Sequence, residues 1–355
     1  MDYTLNYDSK KVQRKKKLNP KPRLYYIDNL RVFACFLVLL THSAMPAKNP
    51  ITEGFWLFSL SFIGSPSSEL FLALSGTVLL PVNSGMKNFY KKRFTKLIPP
   101  VIFWSIVGMF SYIPLKGYSL HESLMSIAFI PLKPVIGVYW FIYVMVGLYL
   151  FAPIISAFLK TSTKRQLEFF ILLWAVTLFM PWLYGILEGN FDQNGSHYWM
   201  LNYFGGFLGY WVLGFFLSKY PVKISWNPRW IFLLLLTLIY PLSILIMKLR
   251  DINVSPYMDN LQLGSAVLVA LLYTIFQNIK LPSNFQAFLT SIAKFSFGIY
   301  LIHYYTRDFF WKIFDNSSIP TFPRTFMIAA LMMGICWCIV WIVSKLPYGK
   351  YLTGT

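Results

Sequence analysis

Two ionisable residues, Arg31 and His42, share one face of the first apolar segment of this 355-residue chain. The two residues are eleven positions apart, which turns an α-helix by about 1100°, or three turns plus roughly 20°, with a rise of roughly 16.5 Å. A guanidinium binds anions and a neutral imidazole accepts protons. The spacing therefore predicts one helix face with an anion-binding residue, Arg31, in its inner half and a proton acceptor, His42, in its outer half. Asp28, near the start of the segment, is expected to cap the helix.

A carboxylate, Glu69, stands in the second apolar segment among small and polar residues. Pro66 leaves backbone groups unpaired, and the neighbouring serines can satisfy them or line a wet cavity. Close packing at Gly76 would place Glu69 within reach of Arg31 or His42. A structural ion pair with Arg31 and a role in a site are both open.

The ninth apolar segment carries a polar stripe with the spacing of three and four that defines one helix face. Its members are Ser296, Tyr300, His303 and Arg307. A stripe of this kind lines a wet surface. Substrate contact and ordinary solvation at the membrane interface are both compatible with it.

Cations are dense in the loop predicted at residues 87–96, where Arg93 and Lys96 lie one turn apart. This pair could hold a phosphate group jointly. Binding to lipid headgroups is the alternative.

The elements that must position these residues are membrane helices, because 56% of the chain is hydrophobic and only 13% is charged. An ionisable side chain inside the bilayer costs about 2.5–3.5 kcal/mol on insertion scales, so each one needs an explanation. For Arg31 the alternative to function is snorkelling toward headgroups, and for His42 it is hydrogen-bonded packing. The shared face of these two residues favours function.

The apolar runs predict an all-α, polytopic membrane protein with about ten transmembrane helices. The ten segments are residues 25–45, 55–80, 97–115, 138–159, 169–187, 200–218, 230–247, 261–279, 291–311 and 325–346. Lysine and arginine concentrate on the side that holds both termini, so this side is predicted to be the cytoplasm. The formal charge of +19 thus points to anionic lipid and not to nucleic acid.

This topology divides the chain into a basic cytoplasmic tail (1–24), a ten-helix domain (25–346) and a short cytoplasmic carboxyl terminus (347–355). Residues 118–134, on the outer side, are expected to form an interfacial or re-entrant helix. The three cysteines, Cys35, Cys336 and Cys338, lie in apolar runs and are expected to fill the core without forming disulfides.

Several of these segments, taken in order, resemble the integral-membrane acyltransferase-3 family, in particular the O-acetyltransferases of bacterial surface polysaccharides. The matching stretches are 26–31 through His42, 69–76, the loop with Arg93, Tyr139-Trp140-Phe141 and 296–303. The family often has two arginines three apart where this chain has Arg93 and Lys96, so one planar fork is lost here.

The resemblance implies transfer of an acetyl or short acyl group from cytosolic acyl-coenzyme A, without a metal, to a hydroxyl of a surface glycan or lipid-linked sugar. It places the protein in the bacterial cytoplasmic membrane, as a monomer or a homo-oligomer. Arg31, Arg93 and Lys96 are then expected to bind the donor. The expected acceptor contacts are Tyr139, Trp140, Ser296, Tyr300, His303 and Arg307.

Two chemical routes fit this expectation. In one, neutral His42 takes the proton of the acceptor hydroxyl as the hydroxyl attacks the thioester. In the other, His42 is itself acylated first and passes the group on. Glu69 would orient the imidazole or stabilise its cation in either route. A rival hypothesis is a transporter or flippase for a glycan or small metabolite, which also needs charges inside the membrane.

Overall fold

The computed structural model describes residues 23–45, 50–188, 204–223, 238, 242 and 261–355. Within these ranges the chain forms helices and turns, with no strand. The basic tail lies outside the described residues except for its last two positions. The predicted segment 230–247 also lies outside them, apart from two positions.

Twelve α-helices are assigned in the described ranges. They are α1 (Tyr25–Ser43), α2 (Pro50–Gly64), α3 (Ser67–Leu79), α4 (Met86–Lys116), α5 (Leu120–Ala128), α6 (Trp140–Thr161, preceded by a 3₁₀ turn at Gly137–Tyr139), α7 (Lys164–Glu188), α8 (Leu208–Lys219), α9 (Leu263–Asn278), α10 (Ser283–Phe314), α11 (Thr321–Val343) and α12 (Gly349–Thr353).

Four of the described segments are long and apolar enough to cross a membrane. They are Met86–Ile113, Gly137–Thr161, Ser283–Phe314 and Thr321–Val343. The all-helical class and the membrane-spanning character predicted from the sequence are thus confirmed. The count of ten spans and the cytoplasmic position of both termini stay predictions.

The second predicted segment, 55–80, is not one helix but two. Helix α2 ends at Gly64 and α3 begins at Ser67, with Pro66 between them. A proline ring removes a backbone donor and clashes with the preceding turn, so a helix breaks there at low cost only if its ends find partners. Ser65 supplies one, because its hydroxyl donates to the Phe62 carbonyl at 3.0 Å. The break puts Glu69 in the first turn of a new helix, where a carboxylate is favoured by the helix dipole.

The basic stretch 87–96, predicted as a loop, is instead the beginning of the 31-residue helix α4. Lysine and arginine are good helix formers, and no glycine or proline interrupts the stretch. The consequence is a rigid spacing: Arg93 and Lys96 project from one continuous helix.

Helices α1 and α10 run parallel and pack along their whole common length. The contacts follow in order, from a reciprocal amide pair between Asn29 and Gln286 (2.8 and 3.0 Å) to the Trp311 indole, which donates to the Ser43 carbonyl at 3.1 Å. Between these ends, the Cys35 thiol lies 3.9 Å from the Ser296 carbonyl. The face of α1 that carries Arg31 and His42 therefore lies against the face of α10 that carries Ser296 and His303.

Helix α3 packs backbone to backbone against α8. A Cβ on Gly76 would collide with the Trp211 carbonyl, and one on Gly214 would collide with the Ala73 carbonyl. Gly76 was expected to bring α3 close to α1, but its close contact is with α8. The glycine that approaches α1 is Gly64, whose Cβ would collide with the Thr41 hydroxyl.

Two further expectations are wrong in detail. Asp28 does not cap α1, because it accepts hydrogen bonds from Arg23 Nε at 2.7 Å and from the Thr290 hydroxyl at 3.2 Å. The hydrogen bond from the Arg23 guanidinium to this carboxylate raises the pKa of Arg23.

Cys35 and Cys336 are buried as expected, but Cys338 is exposed on α11 and does not fill the core.

The segment 118–134 contains the predicted short helix, α5, and its start is fixed by a capping box. The Ser119 hydroxyl accepts from the Glu122 backbone N–H at 3.1 Å, and the Glu122 carboxylate accepts from the Ser119 backbone N–H at 2.7 Å. These hydrogen bonds hold the pKa of Glu122 below its usual range. Leu120, Leu124 and Met125 are exposed on this helix, and its placement at a membrane interface stays a prediction.

Candidate active site

A cavity of about 380 Å³ lies between α1, α3, α4, α6 and α10. Four cationic side chains line it, and its described lining residues include no aspartate or glutamate. The cations are Arg31 of α1, Arg93 and Lys96 of α4, and Lys294 of α10. Like charges gathered in one pocket repel one another, so such a pocket is stabilised by an anion that binds all of them.

The guanidinium of Arg93 is poised for such a ligand. Its Nε is buried and makes no hydrogen bond within the described part of the chain, and its Cζ lies 5.8 Å from the centre of the Phe89 ring. A buried donor without a partner costs free energy of about 1–3 kcal/mol, more when it is charged. An anion in the cavity would supply the missing acceptor.

The rest of the cavity wall is largely apolar and aromatic. It includes Phe71, Phe141, Ile142, Tyr149, Phe297 and Tyr300, together with the polar Ser75 and Ser296. The cavity wall thus combines cationic and aromatic side chains, which suits a ligand with an anionic head and a thin, less polar arm.

Tyr300 connects this cavity to two histidines. Its side chain lines the cavity, and its hydroxyl donates to the Val138 carbonyl. Its own backbone carbonyl lies 2.5 Å from His303 Nδ1. A carbonyl only accepts, so Nδ1 carries a proton and Nε2 of the neutral His303 ring is the acceptor nitrogen.

His42 and His303 form a pair of imidazoles that are tilted by 38° relative to each other, with ring centroids 5.2 Å apart. His303 is fully buried, and its Nε2 makes no hydrogen bond within the described residues. His42 is partly accessible and does not line the 380 Å³ cavity. Arg31 and His42 thus share the face of α1 that lies against α10. Arg31 lines the cavity, and His42 lies outside it, about three turns further along the helix.

Arg307 lies on the far side of the imidazole pair, among aromatic rings. Its Cζ is 3.8 Å from the centre of the Tyr304 ring and 4.6 Å from that of Trp311. Its Nε and Nη2 both donate to Oδ1 of Asp308, at 2.8 and 2.7 Å. His42 in turn packs edge-on to Tyr304, at 6.4 Å between ring centres. A stacked arginine beside flat aromatic rings is a surface on which a sugar ring can pack.

Glu69 is fully buried in the first turn of α3, where its Oε1 accepts from the Ser68 hydroxyl at 3.0 Å. Among the ion pairs of the described residues, none joins Glu69 to Arg31 or His42. Glu69 nevertheless follows Gly64 by five positions, and Gly64 abuts Thr41, the neighbour of His42. The helix break thus brings this carboxylate toward the His42 end of α1.

Two of the predicted acceptor contacts lie inside the helix packing. Tyr139 is buried, and its hydroxyl donates to the Leu301 carbonyl at 2.7 Å and lies 3.3 Å from the Tyr305 hydroxyl. Trp140 packs on Phe207, with 5.5 Å between ring centres. In this arrangement Tyr139 holds α10 in place at the level of the imidazole pair.

A family model for an acyltransferase domain matches residues 24–341, nearly the whole chain. The chain belongs to the acyltransferase-3 family. Comparison with curated proteins and comparison with solved structures give no match. The cationic residues of the cavity and the two histidines of the pair all lie in the range that matches this acyltransferase family.

Membership of the acyltransferase-3 family makes the protein an enzyme that transfers an acyl group. This favours catalysis over the alternative of a transporter without acyl chemistry. It also requires that the chain bind an acyl donor and an acceptor, and the cavity and the histidine pair are the strongest candidates for their sites.

Sequence reasoning missed two contributors to this acyltransferase cavity. Lys294 is a cation within a predicted span, and this charge was the only local signal for it, because two positions turn a helix by about 200° and put Lys294 off the face of Ser296 and Tyr300. Residues Gly354 and Thr355 also line the cavity, and nothing in their local sequence indicates it. Their contribution depends on how the chain folds back after α11.

Proposed function

We propose that this protein is a membrane O-acyltransferase that moves an acetyl or short acyl group from cytosolic acyl-coenzyme A to a hydroxyl of a surface glycan or lipid-linked sugar. One observation carries the proposal: a cavity with four cationic side chains, and no aspartate or glutamate among its described lining residues, adjoins an imidazole pair through Tyr300. The bacterial cytoplasmic membrane, with both termini inside, is the location proposed.

Coenzyme A fits the cavity by charge and shape. Its phosphate groups carry several negative charges, and its thioester ends a long, thin arm. The phosphates would bind Arg31, Arg93, Lys96 and Lys294, because Arg and Lys bind phosphate oxygens with charge-assisted hydrogen bonds. The arm would then pass Ser296 and Tyr300 toward His42, whose spacing from Arg31 is roughly 16.5 Å along the helix.

In the direct route, the acceptor hydroxyl attacks the carbonyl carbon of the thioester. A C–O bond forms, the C–S bond breaks, and the coenzyme leaves as its thiol. Neutral His42 takes the hydroxyl proton and returns it to the leaving sulfur. Glu69, buried near the same end of α1, would stabilise the imidazolium that forms between these two events.

In the two-step route, a ring nitrogen of His42 attacks the thioester and releases the thiol. The acceptor hydroxyl then takes the acyl group from the imidazole. His303 would assist either route, since its Nε2 is an acceptor that faces no hydrogen-bond donor among the described residues. Arg307 with Tyr304 and Trp311 would hold the acceptor sugar beyond the pair.

The test measures alkali-labile acetate on surface glycans extracted from cells that express the wild-type protein, His42→Ala or no protein. We expect esterified acetate only with the wild type, while immunoblots show equal amounts of both proteins in membranes. Equal acetate in wild-type and His42→Ala cells would overturn both routes.

A second measurement separates the routes. Purified protein is incubated with acetyl-coenzyme A labelled with ¹⁴C in the acetyl group, without acceptor, and then denatured. Label retained on the wild type and absent from His42→Ala indicates the two-step route. Absence of label from both, with glycan acetylation intact, indicates the direct route.

A further inference from the structure

The last described residues fold back onto the cationic cavity. We name residues 349–355, which include the short helix α12, the closing turn. Gly354 and Thr355 of this turn line the cavity beside Arg93 and Lys96. The acyltransferase family match ends at residue 341, so the closing turn lies outside the range that defines the family here.

The closing turn is anchored to α4 and is held in shape by hydrogen bonds of its own. The Trp104 indole of α4 donates to the Leu352 carbonyl at 2.9 Å. Thr353 is fully buried, and its hydroxyl donates to the Gly349 carbonyl at 2.9 Å and lies 3.0 Å from the Thr355 hydroxyl. These contacts fix the turn against α4 with a defined conformation.

Gly354 is the point of closest approach. Its backbone adopts φ +70°, a left-handed conformation that favours glycine. A Cβ at this position would lie 2.5 Å from Phe297 Cδ1 and 3.0 Å from the Lys96 carbonyl oxygen. Phe297 and Lys96 both line the cavity, so a side chain at residue 354 would push the turn away from α4 and α10 or displace these two residues.

We infer that the closing turn is a wall of the donor site and that Gly354 is a positioning residue that sets the affinity for the phosphate end of the acyl donor. This inference rests on the proposed function for the nature of the donor. The turn acts by holding Lys96 and Phe297 at the cavity, where the positive charge of Lys96 attracts a bound phosphate.

The test measures binding of coenzyme A to purified protein in detergent by isothermal titration calorimetry. Gly354→Ala is compared with Gly117→Ala, because Gly117 has the same φ of +70° but no atom within 4 Å of its Cβ position. Both variants carry the backbone strain, and only Gly354→Ala adds the collision. We expect Gly354→Ala to weaken binding about tenfold and Gly117→Ala to leave the wild-type affinity within about twofold.

A charge series at Thr355 tests the same wall, with Thr355→Asn as the uncharged control for the lost hydroxyl. Thr355→Asp should weaken coenzyme A binding, Thr355→Lys should strengthen it, and Thr355→Asn should match the wild type, with differences that shrink at high salt. Trp104→Phe, which removes the donor to the Leu352 carbonyl, should weaken binding in the same direction as Gly354→Ala. If Gly354→Ala fails to fold, the Thr355 and Trp104 variants decide the matter.

The outcomes separate this inference from the proposed function. A wild type that binds coenzyme A, with Thr355 variants that bind it equally well, overturns the closing turn as a wall and leaves the donor assignment standing. A wild type that does not bind coenzyme A overturns both. In assays of the purified enzyme, Gly354→Ala should raise the donor KM of acetylation with little change in kcat. General damage to the fold would instead lower the amount of protein found in cell membranes.

Discussion

The chemistry of single residues centres on which nitrogen of His303 is free. Its Nδ1 is engaged with the Tyr300 carbonyl, so Nε2 is the atom available to His42 or to an acceptor. His303 could stabilise α10 through Nδ1, and it could take part in proton transfer through Nε2. A side chain that can still donate to the Tyr300 carbonyl, but has no atom in place of Nε2, therefore separates these two roles.

His303→Asn is that side chain, because the asparagine amide can donate to the Tyr300 carbonyl from nearly the same position. We expect the purified variant to keep its thermal midpoint and to lose about 100-fold in kcat for thiol release from acetyl-coenzyme A, within the usual range for a lost proton-transfer group. His121→Asn is the control, since His121 is exposed on α5. Wild-type kcat in His303→Asn would show that His303 only packs.

The four cations differ in what they can offer a phosphate. Arg93 has a buried Nε without a partner in the described chain, whereas Lys92, one position earlier on the same helix, is exposed and does not line the cavity. Arg93→Ala should raise the donor KM about tenfold or more, as expected for a lost charge-assisted hydrogen bond of about 1.5–3 kcal/mol. Lys92→Ala removes the same charge from the same turn and should leave the KM unchanged. A similar rise in both variants would show that only the net charge of the surface matters.

Residue spacing within one helix was predictable, because helical periodicity is a local property. The shared face of Arg31 and His42, and that of Ser296 and Tyr300, both needed only 3.6 residues per turn. The contact between the rings of His42 and His303 was not predictable from helical periodicity. It depends on the register between two helices that are far apart in the sequence.

At the scale of elements, the site depends on how closely the helices approach one another. Helix α3, which carries Glu69 and part of the cavity wall, is held against α8 by two glycines that face carbonyl groups, Gly76 and Gly214. Small residues at such interfaces allow close backbone packing, which is a main source of association between helices in a membrane.

Gly214→Ala should therefore destabilise the protein by about 1–3 kcal/mol, the usual cost of forcing an extra carbon into a packed interface. Gly147→Ala, on α6, is the matched control, because a Cβ there meets nothing within 4 Å. The measurement is the thermal midpoint of the purified proteins in a Cys338→Ser background, monitored by the reaction of a thiol-reactive dye with the buried Cys35 and Cys336 on unfolding. Equal midpoints for the two variants would contradict the proposed packing of α3 on α8.

Two element boundaries could not be predicted from hydropathy. The hydropathy profile does not show the break at Pro66, because α2 and α3 are both apolar and together give the profile of one long span. The start of α4 is hidden for the opposite reason, since a charged stretch looks like a loop until its helix propensity is weighed.

At the scale of the whole molecule, the neighbours of each helix were beyond sequence analysis. In a soluble protein an apolar face marks the core, but in a membrane the faces toward lipid and toward protein are both apolar. The described helices show this: Leu150, Ile154 and Ile342 are exposed although they are as hydrophobic as the buried core. The pairing of α1 with α10 and of α3 with α8 follows from small and polar residues at a few positions, which a hydropathy profile averages away.

Orientation is the whole-molecule property on which the direction of acyl transfer depends. The basic start of α4 is predicted to face the cytoplasm and α5 to face outward. In a Cys338→Ser background, where the two remaining native cysteines are buried, His121→Cys and Lys92→Cys each place one exposed thiol on opposite sides. A membrane-impermeant maleimide should label His121→Cys in intact cells and Lys92→Cys only after permeabilisation. Labelling of Lys92→Cys in intact cells would invert the topology, and the cationic cavity would then open away from the cytosolic supply of acyl-coenzyme A.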